Sequence, residues 1–65
     1  MLVTVNEQAM QMPEPHTLVA LLQKLAPETP FAVARNGEFV PRHSYAECGL
    51  NAGDRIEIVR PSAGG

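Results

Sequence analysis

The chain has one cysteine, one tyrosine, two phenylalanines and no tryptophan in 65 residues. A lone cysteine, Cys48, excludes an internal disulfide and gives no sign of an oxidising compartment. Charge is sparse as well. Five Lys and Arg against seven Asp and Glu leave a net charge of −2, with no run of one sign. That excludes the basic stripe of a nucleic-acid binder. Lys24 is the single lysine, which argues against a chain-forming protein modifier. No apolar run approaches the ~18 residues of a membrane span, and the first residues lack a basic segment followed by an apolar one. The expectation is a soluble cytoplasmic domain without membrane attachment. His16 and His43 stand without a cysteine or carboxylate cluster, so no metal site is expected. No nucleophile–base pair is visible, and a chain this short is expected to act as a carrier, a subunit or a binding module, not as an enzyme.

What is present reads as one small domain, residues 1–60, followed by a tail, residues 61–65. A domain of this size buries only about 60% of its unfolded surface. Met1 to Asn6 alternates, with Met1, Val3 and Val5 on one side and Leu2, Thr4 and Asn6 on the other, as in a half-buried strand. Asn6-Glu7-Gln8 is a polar turn, and Ala9 to Met12 resumes the extended pattern until Pro13 and Pro15 stop it. Thr17 is a candidate helix N-cap. Leu18, Leu21, Leu22 and Leu25 fall at i, i+3, i+4 and i+7, one apolar helical stripe, and Pro27 ends it at about Ala26.

Phe31 to Asn36 is a third extended run whose inward face is ambiguous. Phe31, Val33 and Arg35 lie on one side, and Ala32, Ala34 and Asn36 on the other. Asn36-Gly37 is a strong hairpin signal, with Phe39-Val40 as the return strand. From Arg42 to Leu50 no period is clean; Ser44 is a candidate cap for a single turn through Glu47, ended by Gly49. Asn51 to Asp54 reads as a turn. Arg55 to Arg60 alternates again, with Ile56 and Ile58 on one face.

One helix with a leucine stripe must cover one face of a sheet. The first and last strands are the most apolar and are expected side by side at its centre. The result is an α+β fold, a ubiquitin-like β-grasp: a mixed sheet of about five strands, one main helix on one face, and a flexible C-terminal tail. The tail ends Ala63-Gly64-Gly65. On its own, a terminal Gly-Gly is also what chance or an appended linker produces.

Four segments, taken in order, resemble the sulfur carrier proteins of thiamine biosynthesis, the ThiS family. They are Val5-Asn6-Glu7-Gln8-Ala9-Met10-Gln11, Asn36-Gly37-Glu38-Phe39-Val40-Pro41-Arg42, Gly53-Asp54-Arg55-Ile56-Glu57-Ile58, and terminal Ala63-Gly64-Gly65. The resemblance implies a carrier whose covalent site is Gly65. A ThiF-like adenylating enzyme would join AMP from ATP to that carboxylate. A sulfur donor protein would then convert it to a thiocarboxylate, for delivery to thiazole synthase. The carrier itself would bind no cofactor and be a monomer when free. Ala63, Gly64 and Gly65 would be the tail that enters the partner's channel. Pro61 and Ser62 depart from the family pattern, where more apolar residues are expected. Two alternatives share the fold: the small subunit of molybdopterin synthase, and an interaction module without sulfur chemistry.

The remaining candidates concern docking. Leu2 and Val59 fall on the sheet face opposite the expected helix and form a candidate apolar patch for partner enzymes. Arg60 lies next to the tail. Arg35, Arg42, Arg55 and Arg60 each read as solvated charges that also suit an acidic partner. Cys48 reads as a small, inert, buried group, and Met1, Met10 and Met12 as strand-face packing.

Overall fold

In the computed structural model, which describes residues 1–61, two asparagine turns set the sheet. Strand β1 (Leu2–Val5) returns as β2 (Gln8–Gln11) through Asn6 and Glu7, both at positive φ (49° and 71°). Strand β3 (Ala32–Arg35) returns as β4 (Glu38–Val40) through Asn36 and Gly37, at φ 50° and 86°. Two consecutive left-handed residues match the right-handed twist of the strands they join. Each hairpin flanks the last strand, β5 (Arg55–Val59), giving the order β2-β1-β5-β3-β4. The β1–β5 pair is parallel and the others antiparallel, so the sheet is mixed, with its two most apolar strands adjacent, as expected. This is the β-grasp arrangement.

The turn asparagines also hold β5. The Asn6 amide donates to the Ile58 carbonyl at 3.2 Å, and its oxygen accepts from the Ile58 N–H at 2.9 Å. That side chain stands in for a strand residue where β1 has already turned away. The Asn36 oxygen accepts from the Arg55 N–H at 2.8 Å on the other side.

Helix α1 (Leu18–Leu25) has the expected bounds and the expected cap, since Thr17 Oγ1 accepts from the Ala20 N–H at 3.3 Å. Leu18, Leu21 and Leu22 are buried against Val3, Val33 and Ile56 from the sheet. The helix ends at Ala26, which takes a left-handed conformation (φ 47°) while its N–H donates to the Leu22 carbonyl.

The segment between β4 and β5 differs from the sequence reading. The turn through Glu47 is present, closed by the Glu47 N–H on the Ser44 carbonyl at 3.1 Å, but a 3₁₀ turn, Arg42–Ser44, leads into it where a side-chain cap was expected. Beyond it the backbone serves the helix. The Cys48 and Tyr45 carbonyls accept from the Leu18 and Val19 N–H groups at 2.8 and 3.2 Å. Two orphan donors of the first helical turn are satisfied by a loop distant in sequence. Leu50 is buried there, and its N–H donates to the His16 carbonyl. The tail expected over 61–65 lies, apart from Pro61, outside the described residues.

Candidate functional site

The face of the sheet away from α1 carries the largest exposed apolar groups. Val3, Val33, Val40 and Ile56 point to the core, so Leu2, Ala32, Ala34, Phe39 and Val59 point the other way. Register places them. Ala34 pairs with Phe39 on one side and Glu57 on the other, and Ala32 pairs with Val59. Phe39 is 68% exposed and Val59 57%. Phe39, Ala34, Ala32 and Val59 thus form one apolar strip crossing β4, β3 and β5, with Glu57 beside it.

Leu2 and Val59 share this face but are not neighbours. Leu2 lies two residues before Thr4, which pairs with Arg55, and Val59 lies four residues beyond Arg55. Six strand residues separate them, about 20 Å along the sheet. Sequence reasoning did not single out Phe39. The signal was available, because a two-residue Asn36-Gly37 turn sets Phe39 opposite Ala34 and Val40 opposite Val33. Once Val33 is assigned to the core, Phe39 must face outward.

Arg60 follows β5 at the end of the sheet from which the tail leaves. Its Nη1 lies 3.6 Å from Glu28 Oε1, with both side chains well exposed. Ala63, Gly64 and Gly65 lie outside the described residues.

Arg35 is not a solvated charge. It lies on the inward side of β3, and its Nε donates to Asp54 Oδ2 at 2.9 Å. Asp54, at 8% exposure, also accepts from the Asn36 amide and the Asn51 N–H. Burial pushes its pKa up. The Asn51, Asn36 and Arg35 donors, with the Arg35 charge, outweigh that and hold it below the ordinary carboxylate value. Nothing in the local pattern around Asp54 announced this cluster, since its donors lie on two different turns.

Cys48 is half-buried and packs on the edge of the core. His16 and His43 are exposed. Among the described residues no three His, Cys, Asp or Glu side chains are grouped to hold a metal ion, and no helix is long and apolar enough to cross a membrane.

The ThiS family profile matches residues 2–65, nearly the full chain. The chain belongs to the ThiS family. A crystal structure of a ThiS thiamine biosynthesis protein from Geobacter metallireducens superposes with a TM-score of 0.83 over 100% of both chains, at 25% identity. A thiazole synthase of Paramagnetospirillum magneticum is 46% identical over 50 residues, or 75% of this chain. The chain spans 15% of the length of that relative. The ThiS family match and the ThiS structure together bear out both the β-grasp expectation and the resemblance read from the four sequence segments.

Proposed function

We propose that the chain is a sulfur carrier for thiamine thiazole formation, with the Gly65 carboxylate as its covalent site and no catalytic group of its own. One observation carries this reading: the ThiS match covers residues 2–65, Ala63-Gly64-Gly65 included. The thiazole synthase relative favours this pathway over the molybdopterin one.

The chemistry explains why the fold needs no catalytic residue. An α-carboxylate with a pKa of about 3.5 is anionic at neutral pH and a poor electrophile. A partner adenylating enzyme must supply ATP. The carboxylate oxygen attacks the α-phosphorus, pyrophosphate leaves, and the acyl adenylate forms. A persulfide sulfur on the donor then attacks the acyl carbon and AMP departs. A thiol cleaves the resulting acyl disulfide and frees the thiocarboxylate for thiazole synthase. The reacting carbon must reach a buried site. Five extended residues span at most about 17 Å, and glycines without Cβ pass a narrow channel.

Docking falls to the open sheet face. Phe39 and Val59 supply an exposed apolar strip, Arg60 flanks the tail base, and Leu2 extends the same face at its far end. Intact mass spectrometry tests the reading. After incubation with ATP, the adenylating enzyme and a persulfide donor, the mass should rise by the difference between sulfur and oxygen. An unchanged mass with enzymes that charge another ThiS protein would refute it.

A further inference from the structure

A second apolar surface lies on the opposite side of the sheet. A groove of about 610 Å³ opens between the end of α1 and the segment that leads into β3. Leu22, Ala26, Pro27, Pro30, Phe31 and Tyr45 supply its apolar lining. The two rings are stacked, 6.4 Å apart and 9° from parallel. The volume falls in the range of pockets that bind small molecules or single large side chains.

Two observations say what fits there. Arg42 is the only charged residue lining the groove, and no carboxylate among the described residues lies within ion-pairing distance of it. A guanidinium fork beside an apolar slot matches an apolar group carrying a carboxylate nearby. Position supplies the second. Phe31 immediately precedes Ala32, which pairs with Val59 at the end of β5. Glu28, between two lining residues, contacts Arg60 at the tail base. The groove therefore lies beside Arg60, at the base of the tail.

We propose that the groove is a second docking surface, which receives an aromatic or aliphatic side chain next to a carboxylate from a protein partner that also engages the tail. The identity of that partner rests on the carrier reading; the chemistry of the groove does not. Two faces on opposite sides of the sheet give the carrier separate holds for successive enzymes.

The test titrates the ¹⁵N-labelled full chain with two capped dipeptides, N-acetyl-phenylalanyl-glutamyl amide and its glutaminyl counterpart. Saturable shifts are expected at Gln23, Ala26, Phe31 and Tyr45. The acidic peptide should bind at least about threefold more tightly, the scale of one exposed charge pair. That difference should vanish in Arg42→Gln, an exposed position whose change leaves the core untouched. Equal binding of the two peptides, or shifts confined to other surfaces, would overturn the proposal. So would phenylacetate binding as tightly as the acidic dipeptide, which would assign the groove to a free small acid.

A second arm measures the Kd of the adenylating enzyme and of thiazole synthase for the wild type and for Arg42→Glu. Weakening toward at least one enzyme, by about tenfold for reversed charge, is expected. Unchanged affinity for both overturns the docking role. If thiocarboxylate forms normally while both affinities stay unchanged, the groove proposal falls and the carrier reading stands. If it never forms while the acidic peptide still seats in the groove, the carrier reading falls instead.

Discussion

The Asp54 carboxylate accepts from Arg35 Nε at 2.9 Å, Asn36 Nδ2 at 3.1 Å and the Asn51 N–H at 2.8 Å. Those three donors tie the β3–β4 turn to the loop that enters β5. Its pKa in the folded state lies below the ordinary value, so the fold favours the ionised form over the protonated one. For a depressed acid, the stabilisation is complete above the unfolded pKa of about 3.9 and is lost as pH falls through the folded value. Asp54→Asn should cost about 2–4 kcal/mol at pH 7, since it leaves Arg35 without its counter-charge in a partly buried place. Urea denaturation of both proteins between pH 7 and pH 2 checks the sign. The gap between them should be constant above about pH 5 and narrow below about pH 4; a constant gap down to pH 2 would mean that the ionised form contributes nothing. Asn6 makes a separate prediction. Asn6→Ala removes both bonds to Ile58 and puts a Cβ-bearing residue with no such partner at φ 49°. A loss of about 1–3 kcal/mol is expected by the same measurement. The sequence marked Asn6 and Asn36 as turn residues. It did not mark them as clamps, because a side chain's long-range partner depends on where another strand lands.

At the scale of elements, α1 was the easiest to read. Its four leucines repeat at helical spacing, Thr17 caps it and Pro27 stops it, so local signals and burial agree. Leu22→Ala should destabilise by roughly 2–5 kcal/mol in a thermal or urea melt, as for a buried leucine whose site cannot collapse; an unchanged melt would contradict its place in the core. Ala26→Gly should do the reverse. Ala26 holds a left-handed conformation that disfavours a Cβ, and glycine would raise stability by up to about 1 kcal/mol. Strand β3 was harder, because Val33 and Arg35 share one side and two alanines the other. The choice is made outside β3. Val33 pairs with Ile58 and Arg35 with Ile56, both on the inward face of β5. The segment from Arg42 to Leu50 was legible only in its turn through Glu47. Its backbone carbonyls satisfy the helix N-terminus, a role that needs no particular side chain and leaves no periodic trace.

For the molecule as a whole, the proposed carrier reading assigns grip to the sheet and chemistry to the tail. The topology was legible because the two most apolar strands lie side by side beneath a single amphipathic helix. The exposed apolar strip was legible only in part: its side of the sheet followed from alternation, but its centre, at Phe39 and Val59, depended on register across three strands. Separation of the two roles predicts two distinct defects. Phe39→Asp places a charge on an exposed position that pairs with Ala34 and touches no core residue's place in the sheet. Its melting temperature should match the wild type. At a fixed amount of adenylating enzyme, its thiocarboxylate should form slowly at low carrier concentrations and at the normal rate when the carrier saturates, a rise in KM with kcat kept. Deleting Gly65 should do the opposite. The chain would end about 3.5 Å short of the reacting phosphorus, so affinity for the enzyme should survive while turnover is lost at every concentration. The deletion should also leave the melt unchanged, because β5 ends at Val59 and, among the described residues, none of the buried core lies beyond Ile56. Steady-state pyrophosphate release, measured across carrier concentrations for both variants, separates these outcomes. If Phe39→Asp lowers kcat or the Gly65 deletion changes only KM, grip and chemistry are not divided between sheet and tail.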